Sequence, residues 1–328
     1  MLSMLTIFYL ALSSFFLTYF LTSVSINVLK RLNVLVEDYH KPNKPKVPRP
    51  GGPAIVTSII FTELILYLYT GSTAVLAVIL VTAITFLVGL VDDLLTLSGP
   101  LKSSLLVLGA LPILLLDSYS YYLYFPFFGS VRLSLIYPIL VLIAIPVVAN
   151  TVNTIDVLNG VVSAFMVLAS IPLLIALIIK GDFIIAAATL PLILSCLAFY
   201  NFHRYPSKIF PGDSGTLALG GAYVAITIVG GVEFVGVVAL LPAILNSFFY
   251  LSSVRSLIEH RMIKVRPAGL TEGYKLMASR DPEAPITLVR MILADGPMGE
   301  KEIIKAIVLL SSFSCFLAIL TAFATWGL

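Results

Sequence analysis

About ten stretches of this chain are apolar over roughly 14 to 25 residues, and the polar side chains are crowded into the gaps between them. A run of that kind either spans a bilayer or lies inside a very large core, and 328 residues cannot bury ten of them around one aqueous core. The runs lie at 4–28, 53–70, 73–91, 103–116, 133–149, 161–179, 183–199, 216–229, 234–254 and 303–326. With 59% hydrophobic residues, 11% charged and a mean hydropathy of +1.05, the composition agrees. The expected fold is therefore all-α: a polytopic membrane protein of about ten transmembrane helices, forming one domain over 1–328. The first run lacks a basic leader and a small-residue cleavage site, so it reads as a retained helix. Cys196 and Cys315 fall inside apolar runs and imply no disulfide framework.

Charge sets the orientation. Of 20 Lys and Arg residues, 18 fall in the gaps after odd-numbered runs, in the long segment 256–302 before the last run or, as Lys305, at the inner end of that run. Only Arg132 and Lys180 fall on the other side. The positive-inside rule then places both termini outside and the charged loops in the cytoplasm of a plasma-membrane protein. The aromatic cluster 121–128 falls on the outer side, as an interfacial belt does. Within 256–302, the apolar stretch 286–293 is expected to lie on the membrane or pack on the spans.

Five charged or polar gaps open toward that inner side. Asn150, Asn153, Asp156 and Asn159 recur every third residue, so a continuing helix would bring neighbours within reach. Asn159-Gly160 is also a turn signal, which would move the last of the four onto a loop. Asp92 and Asp93 end the third run, with Lys102 nine residues beyond Asp93. Paired carboxylates beside hydrocarbon are costly unless a cation offsets them, which suggests a metal or proton site with a phosphate-binding lysine nearby; the alternative is a solvated helix end with its own ion pair. Asp213 lies in Phe210-Pro-Gly-Asp-Ser-Gly, where it fits a helix N-cap, and the glycines leave backbone exposed at a positive helix end that favours anions. The basic Pro/Gly loop 46–53 reads equally well as a plain positive-inside anchor. His260 and Arg261 follow the ninth run and form a basic patch or the cap over an anionic substrate. Carboxylates, amides and cations on one face are the inventory of phosphoryl transfer, which works by positioning and charge neutralisation.

In that order, the Pro/Gly loop 48–53, the Asp92-Asp93 pair with Lys102, the run 150–160 and the stretch 210–215 resemble the polyprenyl-phosphate N-acetylhexosamine-1-phosphate transferases. The resemblance covers nearly the whole chain. Tyr205 through Asp213, His260-Arg261, Pro285-Ile-Thr-Leu and Gly296-Pro297 look like the branch acting on UDP-N-acetylglucosamine and dolichyl phosphate. Glu259 stands where eukaryotic members carry arginine, and Asp156 looks more like the bacterial branch, a mixture that looks archaeal. The resemblance implies Mg²⁺, with Mn²⁺ as substitute, held by Asn153 and Asp213. It implies Asp92, Asp93 and Lys102 as catalytic residues, the pair lying near the acceptor phosphate. Lys102 and Arg261, with His260, would grip the pyrophosphate. Asn150, Asp156 and Asn159 would surround the nucleotide, and Phe210 would contact uracil.

The implied reaction moves N-acetylglucosamine 1-phosphate from UDP-N-acetylglucosamine to a polyprenyl or dolichyl phosphate and releases UMP. It is the first membrane step of lipid-linked glycan synthesis, for protein N-glycosylation. The partners are then the nucleotide sugar, the lipid phosphate and the bilayer, with a homodimer compatible and no nucleic acid expected. An undecaprenyl-phosphate transferase for surface polymers is the neighbouring alternative. An ion-coupled transporter is the more distant one, because transporters place polar groups near the bilayer midplane and here they gather at helix ends.

Overall fold

In the computed structural model, residues 4–254 and 265–327 are described. Helix α1 (Met4–Arg31) is followed by strands β1 (Leu35–Glu37) and β2 (Lys46–Pro48), which pair antiparallel. Then come α2 (Gly52–Thr70), α3 (Thr73–Leu95), α4 (Gly99–Leu106), a 3₁₀ turn (Val107–Ala110) and α5 (Leu111–Leu115). A second hairpin, β3 (Tyr122–Phe125) with β4 (Gly129–Arg132), precedes α6 (Tyr137–Thr154), α7 (Val161–Lys180), α8 (Phe183–His203) and α9 (Gly212–Val229). Helices α10 (Glu233–Ala239) and α11 (Leu241–Val254) meet at a 67° bend. A third hairpin, β5 (Ala268–Leu270) with β6 (Leu276–Ala278), leads to α12 (Leu288–Ile292) and α13 (Glu300–Trp326).

The protein is a mostly helical, polytopic membrane protein. Among the described residues eight helices are long and apolar enough to cross a bilayer, and the bent α10–α11 pair makes a ninth. The run at 103–116 is the correction to the sequence reading. It is a broken, shorter apolar helix covering Gly99–Leu115, because Pro112 supplies no N–H and the ladder passes through a 3₁₀ turn. The stretch 286–293 packs on the protein: Leu288, Val289 and Leu293 are buried, and the Leu288 N–H donates to Asn246 Oδ1 at 2.9 Å. The same Asn246 donates from Nδ2 to the Thr154 carbonyl at 2.9 Å, tying α11 and α12 to the end of α6.

Helix α9 is the axis of the bundle. All its residues from Gly212 to Ile228 are buried, and α3, α6 and α2 pack around it. Its sequence is rich in Gly, Ala, Ser and Thr, and such residues let helix backbones approach closely in a membrane, where no hydrophobic force drives helices together. Two glycines on its neighbours show how close. A Cβ at Gly89 of α3 would stand 2.3 Å from the Asp213 carbonyl oxygen, and one at Gly52 of α2 would stand 2.3 Å from the Gly215 nitrogen. The start of α9, the start of α2 and the end of α3 are thereby pressed together at one end of the bundle.

The opposite end is aromatic. Phe125 packs on Phe234, and Tyr124 on Trp326. The two cations of that side rest on rings: Lys180 lies 5.3 Å from the Tyr124 centroid, and Arg132 lies 5.9 Å from that of Tyr122.

Candidate active site

Helix α3 ends in two carboxylates because the chain there leaves the apolar interior, yet neither side chain reaches free solvent. Asp92 is fully buried. Its Oδ1 accepts the Leu97 N–H at 2.7 Å, and its Oδ2 lies 3.2 Å from Lys102 Nζ. Lys102, in the first turn of α4, is 3% exposed and also lies 3.8 Å from Asp213 Oδ2. The carboxyl groups of Asp92 and Asp213 are themselves in contact. Burial removes the solvated part of the alternative reading of this pair, while the ion pair that reading expected is present between Asp92 and Lys102.

Asp93 faces the other way. Its two oxygens accept the Asp213 N–H at 3.0 Å and the Ser214 N–H at 2.9 Å, the free donors of the first turn of α9. This corrects two sequence expectations. Asp213 is not the cap of α9; Asp93 performs that task from α3. The positive end of α9 is not open to an outside anion, because the Asp93 carboxylate already fills it.

Arg49, which sequence reasoning treated only as part of a basic anchor, sits at the centre. Its Nη2 donates to Asp93 Oδ1 at 3.0 Å and to Asp213 Oδ1 at 3.2 Å. The loop that carries it is fixed by backbone bonds to the other loop: Phe210 N–H to the Pro48 carbonyl, Gly51 N–H to Phe210, and Gly52 N–H to Pro211, at 2.7–2.9 Å. A signal for Arg49 did exist. Asp92, Asp93 and Asp213 need more counter-charge than Lys102 alone supplies, and Arg49 is the basic residue nearest the start of the adjoining span.

The run 150–160 supplies the remaining groups, but not as one face. Helix α6 stops at Thr154, and Gly160 turns the chain with φ +84°. Asn150 donates to Ser103 Oγ at 3.4 Å, next to Lys102, and to the Pro146 carbonyl at 2.8 Å. Asn153 Oδ1 accepts from Thr216 Oγ1 of α9 at 2.7 Å, one turn from Asp213. Asp156 lies 3.7 Å from His203 Nε2, and His203 Nδ1 pairs with Ser163 at 2.9 Å. Phe210 stands edge-on to the His203 ring at 6.2 Å. Asn159 belongs elsewhere, in a buried group with Asp38, Lys41 and Glu300. His260 and Arg261 lie outside the described residues. The structure thus brings Asp92, Asp93, Lys102, Asp213, Asn153, Asn150 and Asp156 to one end of α9, and separates Asn159 from them.

Burial pushes Asp156 up to about 7, against the pull of Arg49 and with Asp93 adding to the rise. A carboxyl held more tightly protonated in the folded state stabilises the fold fully below its unfolded value of 3.8, and that contribution is lost as pH rises through 7. Asp156→Asn is therefore expected to gain thermal stability relative to the wild type as pH goes from about 5 to 8, by at most about 3 kcal/mol. Melting curves in detergent check this, and a difference that is flat or of opposite sign across the window would contradict it.

The site carries four carboxylates against two cations among the described residues, an excess of negative charge beside the membrane. No three Asp, Glu, His or Cys side chains there are grouped so as to hold a metal ion by themselves. Mg²⁺ requires no such cage: it prefers oxygen ligands, keeps several waters, and takes one or two carboxylates plus substrate phosphates. The oxygen donors of Asp213 and Asn153 fit that requirement.

Residues 75–231, from α3 into the turn after α9, match the model of glycosyl transferase family 4. A Saccharolobus solfataricus protein provisionally named UDP-N-acetylglucosamine–dolichyl-phosphate N-acetylglucosaminephosphotransferase is 30% identical, over 67% of this chain and 70% of its own length. A Methanocaldococcus jannaschii protein provisionally named a glycosyltransferase is 29% identical over 86% of each chain. A Bacillus subtilis protein provisionally named undecaprenyl-phosphate N-acetylglucosaminyl 1-phosphate transferase is 29% identical, over 62% of this chain and 58% of its own.

Proposed function

Because the chain belongs to glycosyl transferase family 4, we propose that it transfers N-acetylglucosamine 1-phosphate from UDP-N-acetylglucosamine to a polyprenyl phosphate, releasing UMP. The observation that carries this reading is the Asp92–Lys102–Asp213–Arg49 cluster at the end of α9. Cations and oxygen ligands converge there, as phosphoryl transfer between two anionic substrates demands. The lipid phosphate is the nucleophile. Its second pKa is about 6, so at neutral pH it is mostly the dianion and needs little help from a base. Its oxygen forms a bond to the β-phosphorus, the bond from that phosphorus to the bridging oxygen breaks, and UMP leaves with the electron pair.

Lys102 and Arg49 neutralise charge that would otherwise repel the incoming phosphates. Both oxygens of Asp93 are committed to α9, and both of Asp92 to Leu97 and Lys102, which supports positioning over nucleophilic attack. Asp213 and Asn153 would hold Mg²⁺, which when bound would supply electrophilic polarisation of the diphosphate. The acceptor is read as dolichyl phosphate, serving protein N-glycosylation. Undecaprenyl phosphate is the second reading, favoured by the Bacillus likeness. The 18-to-2 split of basic residues supports a cytoplasmic site and outward termini.

Purified protein supplied with UDP-N-acetylglucosamine and polyprenyl phosphate is expected to release UMP only when both are present. No release with either lipid would overturn the reading. A stoichiometric burst of UMP without lipid would replace direct attack by an aspartyl-phosphate route.

A further inference from the structure

The turn that carries Asp156 has little regular hydrogen bonding of its own. Residues 155–160 are not helical, and their backbone bonds are short-range contacts such as Asp156 to Asn153 and Val157 to Ile155. Its shape is set from outside, by a second buried polar cluster drawn from distant parts of the sequence. Asn159 Oδ1 accepts from Lys41 Nζ at 2.5 Å and from the Ser207 N–H at 2.7 Å. Asn159 Nδ2 donates to Asp38 Oδ2 at 3.1 Å, and its backbone N–H donates to Glu300 Oε1 at 3.2 Å. Lys41 also pairs with Asp38 at 2.5 Å and Glu300 at 3.2 Å, and its ammonium lies 4.5 Å from the Tyr205 ring centroid. Asp38, Lys41, Asn159 and Glu300 are all buried, none more than 8% exposed.

Three points follow from that geometry. The side-chain oxygen, the amide nitrogen and the backbone N–H of Asn159 each have a partner in this cluster, which makes it a keystone of the turn. The cluster joins the loop after β1, the turn before α7, the loop after α8 and the first turn of α13. Buried ion pairs are poor stabilisers, since apolar residues of like volume often do as well or better, and in some systems their use is to specify one geometry.

We propose that Asp38, Lys41 and Glu300 are positioning residues for the donor side of the reaction. Through Asn159 they set the 156–160 turn against the Asp92–Asp213 cluster and so fix where the nucleotide sits. This rests on the transferase reading above, and adds to it that the donor nucleotide lies against the turn that carries Asp156.

The test compares Glu300→Ala, Glu300→Gln and Asp38→Asn with the wild type, by separate KM values for UDP-N-acetylglucosamine and polyprenyl phosphate and by UDP binding, each corrected for folded fraction. Glu300→Ala is expected to raise the donor KM about tenfold or more with the acceptor KM within about twofold, as expected of a misplaced reactant. Glu300→Gln keeps an acceptor for the Asn159 N–H and is expected to restore most of the loss. Should Glu300→Ala fail to fold, the near-isosteric Asp38→Asn is expected to show the same donor-only shift. Variants that lose activity only in proportion to folded protein, with both KM values and UDP binding unchanged, would overturn the proposal. UDP binding is read independently of turnover. A wild type that binds UDP without releasing UMP would sink the transferase reading, and weakened UDP binding by Glu300→Ala would still support the positioning role.

Discussion

Asp213→Ala is expected to lower the rate of UMP release about a thousandfold or more, close to 4 kcal/mol of transition-state stabilisation. It should leave the melting temperature within a few degrees of the wild type. The two effects separate because of how Asp213 is held. Its backbone N–H, not its side chain, takes part in the capping of α9 by Asp93. Its carboxylate is one of several crowded around Arg49 and Lys102, so removing it relieves like-charge repulsion while deleting an oxygen donor that the diphosphate and Mg²⁺ need. Steady-state kinetics across a magnesium titration check the first half, and thermal unfolding in detergent the second. Near-normal turnover at any magnesium concentration would remove Asp213 from the site.

Arg49→Ala is expected to damage both properties. It leaves Asp93 and Asp213 without a partner they share, at a cost of about 2–4 kcal/mol in stability for buried carboxylates stripped of a cation. Catalytic efficiency should fall about a hundredfold or more with the lost neutralisation. Arg49→Lys is expected to recover only part, because a compact, strongly hydrated ammonium costs more to desolvate than the guanidinium whose Nη2 meets both carboxylates. An Arg49→Ala protein with unchanged melting temperature and efficiency would show that the residue is a surface anchor after all.

The contrast between these two residues shows what the sequence can and cannot display. Asp92 and Asp213 stand out because a carboxylate next to hydrocarbon is expensive and therefore conspicuous. Arg49 is hidden by a rule that is otherwise correct: basic residues are common in inward loops, so one more carries little information until the carboxylates across the fold are counted. Most spans are legible for the same reason that Asp92 is, as long apolar runs between charges. The run at 103–116 misleads because apolarity says nothing about hydrogen bonding, and Pro112 breaks the ladder without interrupting the apolar pattern. Asn159 shares the three-residue spacing of its neighbours, but spacing places residues on one face only while the helix lasts. Here α6 ends five residues earlier, and the Asn-Gly turn signal outweighs the periodicity. That Asp93 caps α9 could not be read at all, since the two segments are 120 positions apart and meet only through glycine-permitted packing.

The central claim is that the cluster moves a phosphoryl-linked sugar and not a bare sugar. Mass spectrometry of the lipid product formed from UDP-N-acetylglucosamine and a polyprenyl phosphate tests it directly. The account predicts a polyprenyl diphosphate carrying N-acetylglucosamine, with UMP as the soluble product in equal amount. A polyprenyl monophosphate sugar accompanied by UDP would contradict it.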